Sequence, residues 1–209
     1  DPEYPSAAAF LPPKKTIPAL RAAAKSCEGC PLHLHATQTV FGEGPAGARI
    51  LFIGEQPGDQ EDLRGRPFVG PAGRLLDEAL EEAGIKRSET FMTNAVKHFK
   101  FEMRGKRRLH AKPRAREIEA CRPWLDAEIA AVKPRLIVCL GATAAQAMMG
   151  RAFRITKERG KVFKPADGPW IMATVHPSSI LRAPDDESRR QAKRDFIKDL
   201  KKAASALES

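Results

Sequence analysis

No apolar run in this chain is long enough to span a bilayer, so no membrane partner is expected. The opening D-P-E-Y-P-S-A-A-A-F-L-P-P lacks the basic-then-apolar order of a secretory signal, and the expected location is the cytoplasm. Cysteine is scarce. Four of them, at 27, 30, 121 and 139, do not make a disulfide framework in a chain of 209 residues. Aromatics are only 6% of the sequence, which counts against a pure single-strand binder, because such proteins interleave several stacking rings with their basic residues. Repeats, heptads and domain-splitting linkers are missing too. The expectation is a monomer with one domain over residues 18–209, preceded by an irregular arm, residues 1–17, that holds four of the seventeen prolines.

Acidic residues are in the minority. Thirty-six Lys and Arg against 26 Asp and Glu leave a net charge of +10, and the isoelectric point is near 9.7. An excess of that size favours a polyanion through counterion release, whereas a small acidic substrate needs only a local patch. Nucleic acid is the expected partner. The charge is densest in R-G-K-R-R-L-H-A-K-P, Arg104 to Pro113, which crowds Lys and Arg around a single histidine, His110. With little apolar content beyond Leu109, this segment reads as an exposed loop.

The apolar pattern between these features alternates strands with helices. Arg49 to Glu55 (R-I-L-F-I-G-E) and Arg135 to Leu140 (R-L-I-V-C-L) are near-continuous apolar runs, as strands covered on both faces require. Thr90 to Val96 and Trp170 to Val175 give two more strands. Helical spacing marks Ile17 to Lys25, Ala72 to Ala83, a long segment starting at Pro113, the A-T-A-A-Q-A-M-M stretch, and Asp186 to Leu207. The expected architecture is α/β: a three-layer α/β/α sandwich around a central four-stranded parallel sheet. Ligands of such sheets bind at the carboxyl ends of the strands. Glu55, Asn94 and His176 all fall there, so one cleft would collect them, with the basic loop free to close over it.

The C-x-x-C of Cys27 and Cys30 reads as half of a metal or cluster site, with His98 and Cys121 as possible further ligands. Cys121 lies on the inward stripe of the long helix. Cys139, inside a strand, reads as a small core residue. On spacing alone, a four-ligand zinc site suits this set as well as any cluster does.

Six segments taken together carry a resemblance: G-E-Q-P-G-D (54–59), G-R-P-F-V-G-P-A-G (65–73), T-N-A-V-K (93–97), A-C-R-P-W-L (120–125), L-G-A-T-A (140–144) and V-H-P-S-S (175–179). In this order they resemble the iron–sulfur uracil-DNA glycosylases of the family 4 type. The K-R-R-L-H and K-H-F-K segments are similar to the UdgX class, whose members excise uracil and stay bonded to the DNA through a histidine. The resemblance implies a [4Fe-4S] cluster held by Cys27, Cys30, His98 and Cys121. His98 stands where hydrolytic relatives carry a third cysteine, and imidazole does replace cysteine at one iron of Rieske centres.

It also implies roles. Phe68 would stack on an extruded base, and Asn94 would read the pyrimidine edge with a side-chain amide. Backbone N–H groups around Gln56 and Gly58, with His176, would stabilise charge on the departing uracil. His110 would attack C1′ while Glu55 orients it and takes its proton. Lys106, Arg107 and Arg108 would hold phosphates, and Ser178 and Ser179 would contact phosphate or cap a helix. The implied substrate is uracil-containing DNA, single-stranded by preference, and the implied enzyme acts once. Two alternatives stay open: a hydrolytic uracil-DNA glycosylase with turnover, and a non-catalytic, metal-stabilised nucleic-acid-binding module.

Overall fold

The computed structural model describes residues 4–209; the first three residues of the expected arm lie outside the described residues. A 3-10 turn at Ala7–Phe10 precedes α1 (Ile17–Ala24), which Thr16 caps by accepting the Ala19 N–H. Another 3-10 turn, Pro31–Leu34, follows the C-x-x-C. Then come β1 (Ile50–Gly54), α2 (Asp59–Arg64), α3 (Pro71–Glu82), β2 (Phe91–Asn94), β3 (Phe101–Arg104) and β4 (Arg107–His110). The second half runs α4 (Ala115–Val132), β5 (Leu136–Leu140), α5 (Ala142–Met149), α6 (Ile155–Glu158), β6 (Val162–Phe163), β7 (Trp170–Thr174), α7 (Pro177–Leu181) and α8 (Asp186–Ala206).

The main sheet has the order β2-β1-β5-β7-β6. Its first four strands are the expected parallel ones. The fifth, β6, pairs antiparallel with β7 and corrects the strand count. At two residues it is too short to show a period. Both faces of the sheet are covered. Leu51, Ile53, Ile137, Cys139 and Ala173 pack with α1 and α4 residues such as Leu20, Trp124 and Leu125. The alternate residues Ile50, Phe52, Leu136, Val138 and Met172 pack with Leu76 and Leu80 of α3 and Phe196 and Leu200 of α8. This is the three-layer sandwich, and it explains why the strands read as unbroken apolar runs.

The arm, irregular apart from its 3-10 turn, is packed: Ala7 is buried in the same core as Cys27 and Cys30, and the Ser6 N–H donates to the Gly29 carbonyl at 3.1 Å. Proline excludes a long helix there, not packing. The basic loop is a hairpin, β3 paired antiparallel with β4 from Phe101↔His110 to Arg104↔Arg107. Gly105, at φ +61°, makes its two-residue turn possible. Period-2 alternation places Phe101, Met103, Arg108 and His110 on one face and Glu102, Arg104, Arg107 and Leu109 on the other. Charge at nearly every position hid that alternation. The long helix begins at Ala115 rather than Pro113, with the Arg114 N–H donating to Glu117 at 2.6 Å. Among the described residues no helix is long and apolar enough to cross a membrane.

Candidate active site

From β1 the chain moves to β2 on one side, and later to β5 on the other. The sheet therefore has its switch point at the carboxyl ends of β1 and β5, where α/β folds bind ligands. A cavity of about 800 Å³ opens there. Glu55, Gln56, Gly58, Phe68, Asn94, His110, His176, Ser178 and Ser179 all line it, so the structure brings together nine of the residues singled out in the sequence.

The floor is built around Gly54. A Cβ on this glycine would collide with Asn94 Oδ1 and come within 2.8 Å of the Phe68 ring, so the missing side chain is what lets both reach the cavity. Asn94 Oδ1 is buried and has no hydrogen-bond partner among the described residues. An orphaned acceptor of that kind costs free energy until a donor arrives. Phe68 sits at φ +53°, a strained conformation for a side chain with a Cβ. Its turn is pinned from both sides. Arg87 donates to the Pro67 and Phe68 carbonyls, each at 2.8 Å, and Glu61 Oε1 accepts the N–H groups of Val69 and Gly70 at 3.0 and 2.8 Å. The Phe68 and His176 rings face each other with centroids 6.1 Å apart.

His176 has its tautomer set by α7. The Ser178 backbone N–H donates to Nδ1 at 3.1 Å, so Nδ1 carries the lone pair and Nε2 the hydrogen. Burial pushes this imidazole down to about 4, the Glu55 charge opposing the fall and Arg182 and His110 adding to it. At neutral pH it is an uncharged N–H donor. Ser178 Oγ lies 2.8 Å from the same Nδ1, and Ser179 Oγ donates to the His176 carbonyl at 2.8 Å, so both serines serve the start of α7.

His110 enters from the hairpin. Its Nε2 lies 2.9 Å from Glu55 Oε1, while Thr143, just past β5, donates to Oε2. Burial raises the Glu55 carboxyl, but the hydrogen bonds from His110 and Thr143 outweigh it and hold the group below its usual range. The hairpin is clasped in two places. Arg108 pairs with Asp59 at 2.7 Å and with the fully buried Asp62 at 2.6 Å, its guanidinium lying over the Phe99 and Phe101 rings. At the hairpin's base the Gln56 side chain donates to the Lys100 and Ala111 carbonyls and accepts the Lys100 N–H. These contacts correct one expectation. Arg108 faces inward and is already matched by carboxylates, leaving Lys106 and Arg107 as the exposed cations of the turn. The Gln56 side chain holds the hairpin, which leaves its backbone, the part expected to meet the uracil, for the substrate.

Cys27, Cys30 and Cys121 are buried free thiols, close enough that Cys27 adds to the rise burial gives Cys30 and both add to the rise of Cys121. Burial, then the other two sulfurs, push Cys121 up to about 12 against the pull of Lys97. One N–H group already points at sulfur: Trp124 Nε1 donates to Cys27 Sγ at 3.2 Å. His98 is tied to the same wall through Thr39. The Thr39 hydroxyl donates to the Ala24 carbonyl at 2.8 Å, a carbonyl that also accepts the Cys27 N–H. Its one proton being spent, Thr39 Oγ1 accepts from His98 Nε2 at 3.0 Å, which leaves the lone pair on His98 Nδ1. Among the described residues no three His, Cys, Asp or Glu side chains form a cage for a single metal ion. Three buried sulfurs, one N–H···S donor and an imidazole with a free Nδ1 fit a sulfur-rich cluster better than one ion. Cys139 stands apart, fully buried within β5.

Residues 41–201 match the model of the uracil DNA glycosylase superfamily. The chain belongs to that superfamily. Among its relatives, the type-4 uracil-DNA glycosylase of Thermotoga maritima is 41% identical over 184 residues, covering 88% of this chain and 90% of that protein. The type-4 uracil-DNA glycosylase of Pyrobaculum aerophilum is 38% identical over 167 residues, covering 77% and 82%. A DNA polymerase of Bacillus phage SP01 is 32% identical over 168 residues, which cover 80% of this chain but 17% of the polymerase.

In this superfamily member several residues at the site carried no signal that sequence reasoning used. Thr143 could have been found, since it follows a strand end at the same edge of the sheet. Arg182 and Lys112 also line the cavity. Asp59 and Asp62 stand one helical turn apart on α2, and nothing local says which cation of the basic segment they match.

Proposed function

We propose that the chain is a uracil-DNA glycosylase that excises uracil from DNA and then bonds to the exposed sugar through His110. The observation that carries this reading is the 2.9 Å contact between His110 Nε2 and Glu55 at the mouth of a cavity whose floor is the orphaned Asn94 oxygen. Uracil carries hydrogen at N3 and would satisfy that oxygen; cytosine has none there and would leave it unpaired. The extruded base stacks on Phe68. As the bond from C1′ to N1 breaks, its electron pair leaves with uracil, and the neutral His176 donates Nε2–H to the uracil oxygen where charge gathers. The sugar is left as an oxocarbenium ion. The imidazole of His110 gives its lone pair to C1′, and its N–H proton passes to Glu55. An N-alkylated imidazole leaves poorly, so the protein acts once. Unpaired DNA is the preferred form, because extrusion costs least there.

Cys27, Cys30, Cys121 and His98 through Nδ1 would hold a [4Fe-4S] cluster, which would serve here as a cross-link between the C-x-x-C segment, the exit of β2 and α4. Purified protein should then be brown, with about four irons per chain. One zinc per chain and no colour would sink the cluster. The function is tested by mixing the protein with uracil-containing DNA and running a denaturing gel. A denaturation-resistant band supports capture, an abasic product without the band supports a hydrolytic enzyme, and neither product supports a binding module.

A further inference from the structure

Lys97 is the largest buried cation the proposed chemistry leaves unused. Its side chain is 1% exposed and that of its partner, Glu128 of α4, is 0% exposed. All three ammonium hydrogens are matched: Glu128 Oε2 at 2.8 Å, Thr93 Oγ1 at 2.6 Å and the Asn94 carbonyl at 2.7 Å. Glu128 is matched as well, Oε2 by the Thr93 hydroxyl at 2.7 Å and Oε1 by the Gly42 N–H at 3.0 Å. A buried ion pair needs that degree of satisfaction to be tolerated.

Its place in the sheet explains what it does. β2 is an edge strand, and Ala95 turns its N–H inward to the Gly54 carbonyl at 2.8 Å. By the period of two, Met92 and Asn94 turn their peptide groups to the outer side. Met92 finds Glu43 there. The Asn94 carbonyl has no strand beyond it, and the Lys97 ammonium fills that position. Fixing this carbonyl fixes the peptide plane after Asn94, and with it the direction of the side chain whose Oδ1 lies over Gly54.

We propose that Lys97 is the positioning residue for Asn94: anchored by Glu128 and Thr93, it aims the Asn94 amide at the base, and so makes uracil recognition depend on the seating of α4. This rests on the reading that Asn94 recognises uracil. Lys97 touches no substrate.

The test compares wild type, Asn94→Ala, and the double variant Lys97→Met with Glu128→Leu, in which an apolar pair of similar size replaces the ions and folding is expected to survive. Each holoprotein is checked for iron content and thermal unfolding. Single-turnover uracil excision is then measured at saturating DNA, beside affinity for the same DNA without uracil. The double variant should keep its iron, its unfolding temperature and its affinity for undamaged DNA, and lose about a hundredfold in excision rate, the cost of a misplaced contact of about 1 Å. Its preference for uracil over cytosine should fall as well, which loss of stability alone does not cause. A folded double variant excising uracil at the wild-type rate overturns the proposal. Asn94→Ala at the wild-type rate overturns instead the reading on which it rests. Should the double variant not fold, Glu128→Gln carries the test: it keeps the shape and removes the charge that holds Lys97, so wild-type excision and selectivity in that variant overturn the proposal.

Discussion

The floor of the cavity and the hairpin over its mouth are built on opposite principles. Asn94, Phe68 and His176 project from strand ends and tight turns, and each is held by at least one bond to its own backbone or an adjacent one. His110 rides on a two-stranded sheet of its own, outside the main one, with its side chain 53% exposed. The floor is set by the core, the hairpin by a few polar clasps. Cleaving the glycosidic bond needs donors already in place when charge develops; trapping a cation afterwards needs only a nucleophile within reach. On the proposed function the two regions answer those two demands, and they should therefore fail separately.

The strongest test of that separation is His110→Ser. The denaturation-resistant adduct should vanish while uracil release continues, now with turnover and an abasic product on the gel. Survival of the adduct would place the nucleophile elsewhere; loss of both adduct and release would show that hairpin and floor act as one unit. Next in size is Asn94→Ala, for which uracil excision should fall about a thousandfold, the scale of losing a positioned donor or acceptor at the reacting group. Salt-dependent binding to undamaged DNA should stay nearly intact, since phosphate contacts position and base contacts specify. Equal loss in both assays would make Asn94 a residue of the fold alone.

The hairpin can also be loosened without touching the histidine. Arg108→Ala combined with Asp62→Asn removes the clasp without stranding a buried carboxylate. Adduct formation should slow about tenfold while uracil release from the His110→Ser background is unchanged, read by stopped-time gels in both backgrounds. A matching fall in release would mean that the clasp braces the floor too.

The smallest effect concerns His176. Its folded pKa, depressed to about 4 by burial, lies below the ordinary value of 6.5. Between those values the unfolded chain binds the proton and the folded chain does not, so stability falls as the pH drops through this window and is fully present above it. From pH 7 to pH 5 the loss is about 2 kcal/mol at most, measured by denaturant unfolding. In His176→Asn that part of the pH dependence should disappear. An unchanged slope would show that His176 is protonated in the fold.

Most of the floor was legible in the sequence because strand ends announce themselves. An apolar run stopping at Gly54, Asn94 or Val175 gives both the strand and the edge of the sheet at which its next residue points. What the sequence hid is pairing. Arg108 differs from Arg107 only by the parity of a hairpin that charge had masked, yet one lies between carboxylates and the other faces solvent. Lys97 sits in T-N-A-V-K beside a recognisable asparagine, and its partner Glu128 is 31 residues away on α4. β6 was invisible for want of length. The packing of the arm was hidden because prolines report local conformation and say nothing about what a segment packs against.

At the root of the hairpin, the Ala111 N–H donates to the Lys100 carbonyl at 3.0 Å. The two ends of the excursion are thus already neighbours, and both are held by Gln56 from outside it. Residues 101–110 thus leave and rejoin the fold at one seam, tied to the rest chiefly by Arg108 on Asp59 and Asp62. On the proposed function, a chain without this excursion would lack the nucleophile His110 and release its product, and it would also need a neutral residue in place of the buried Asp62 that Arg108 matches.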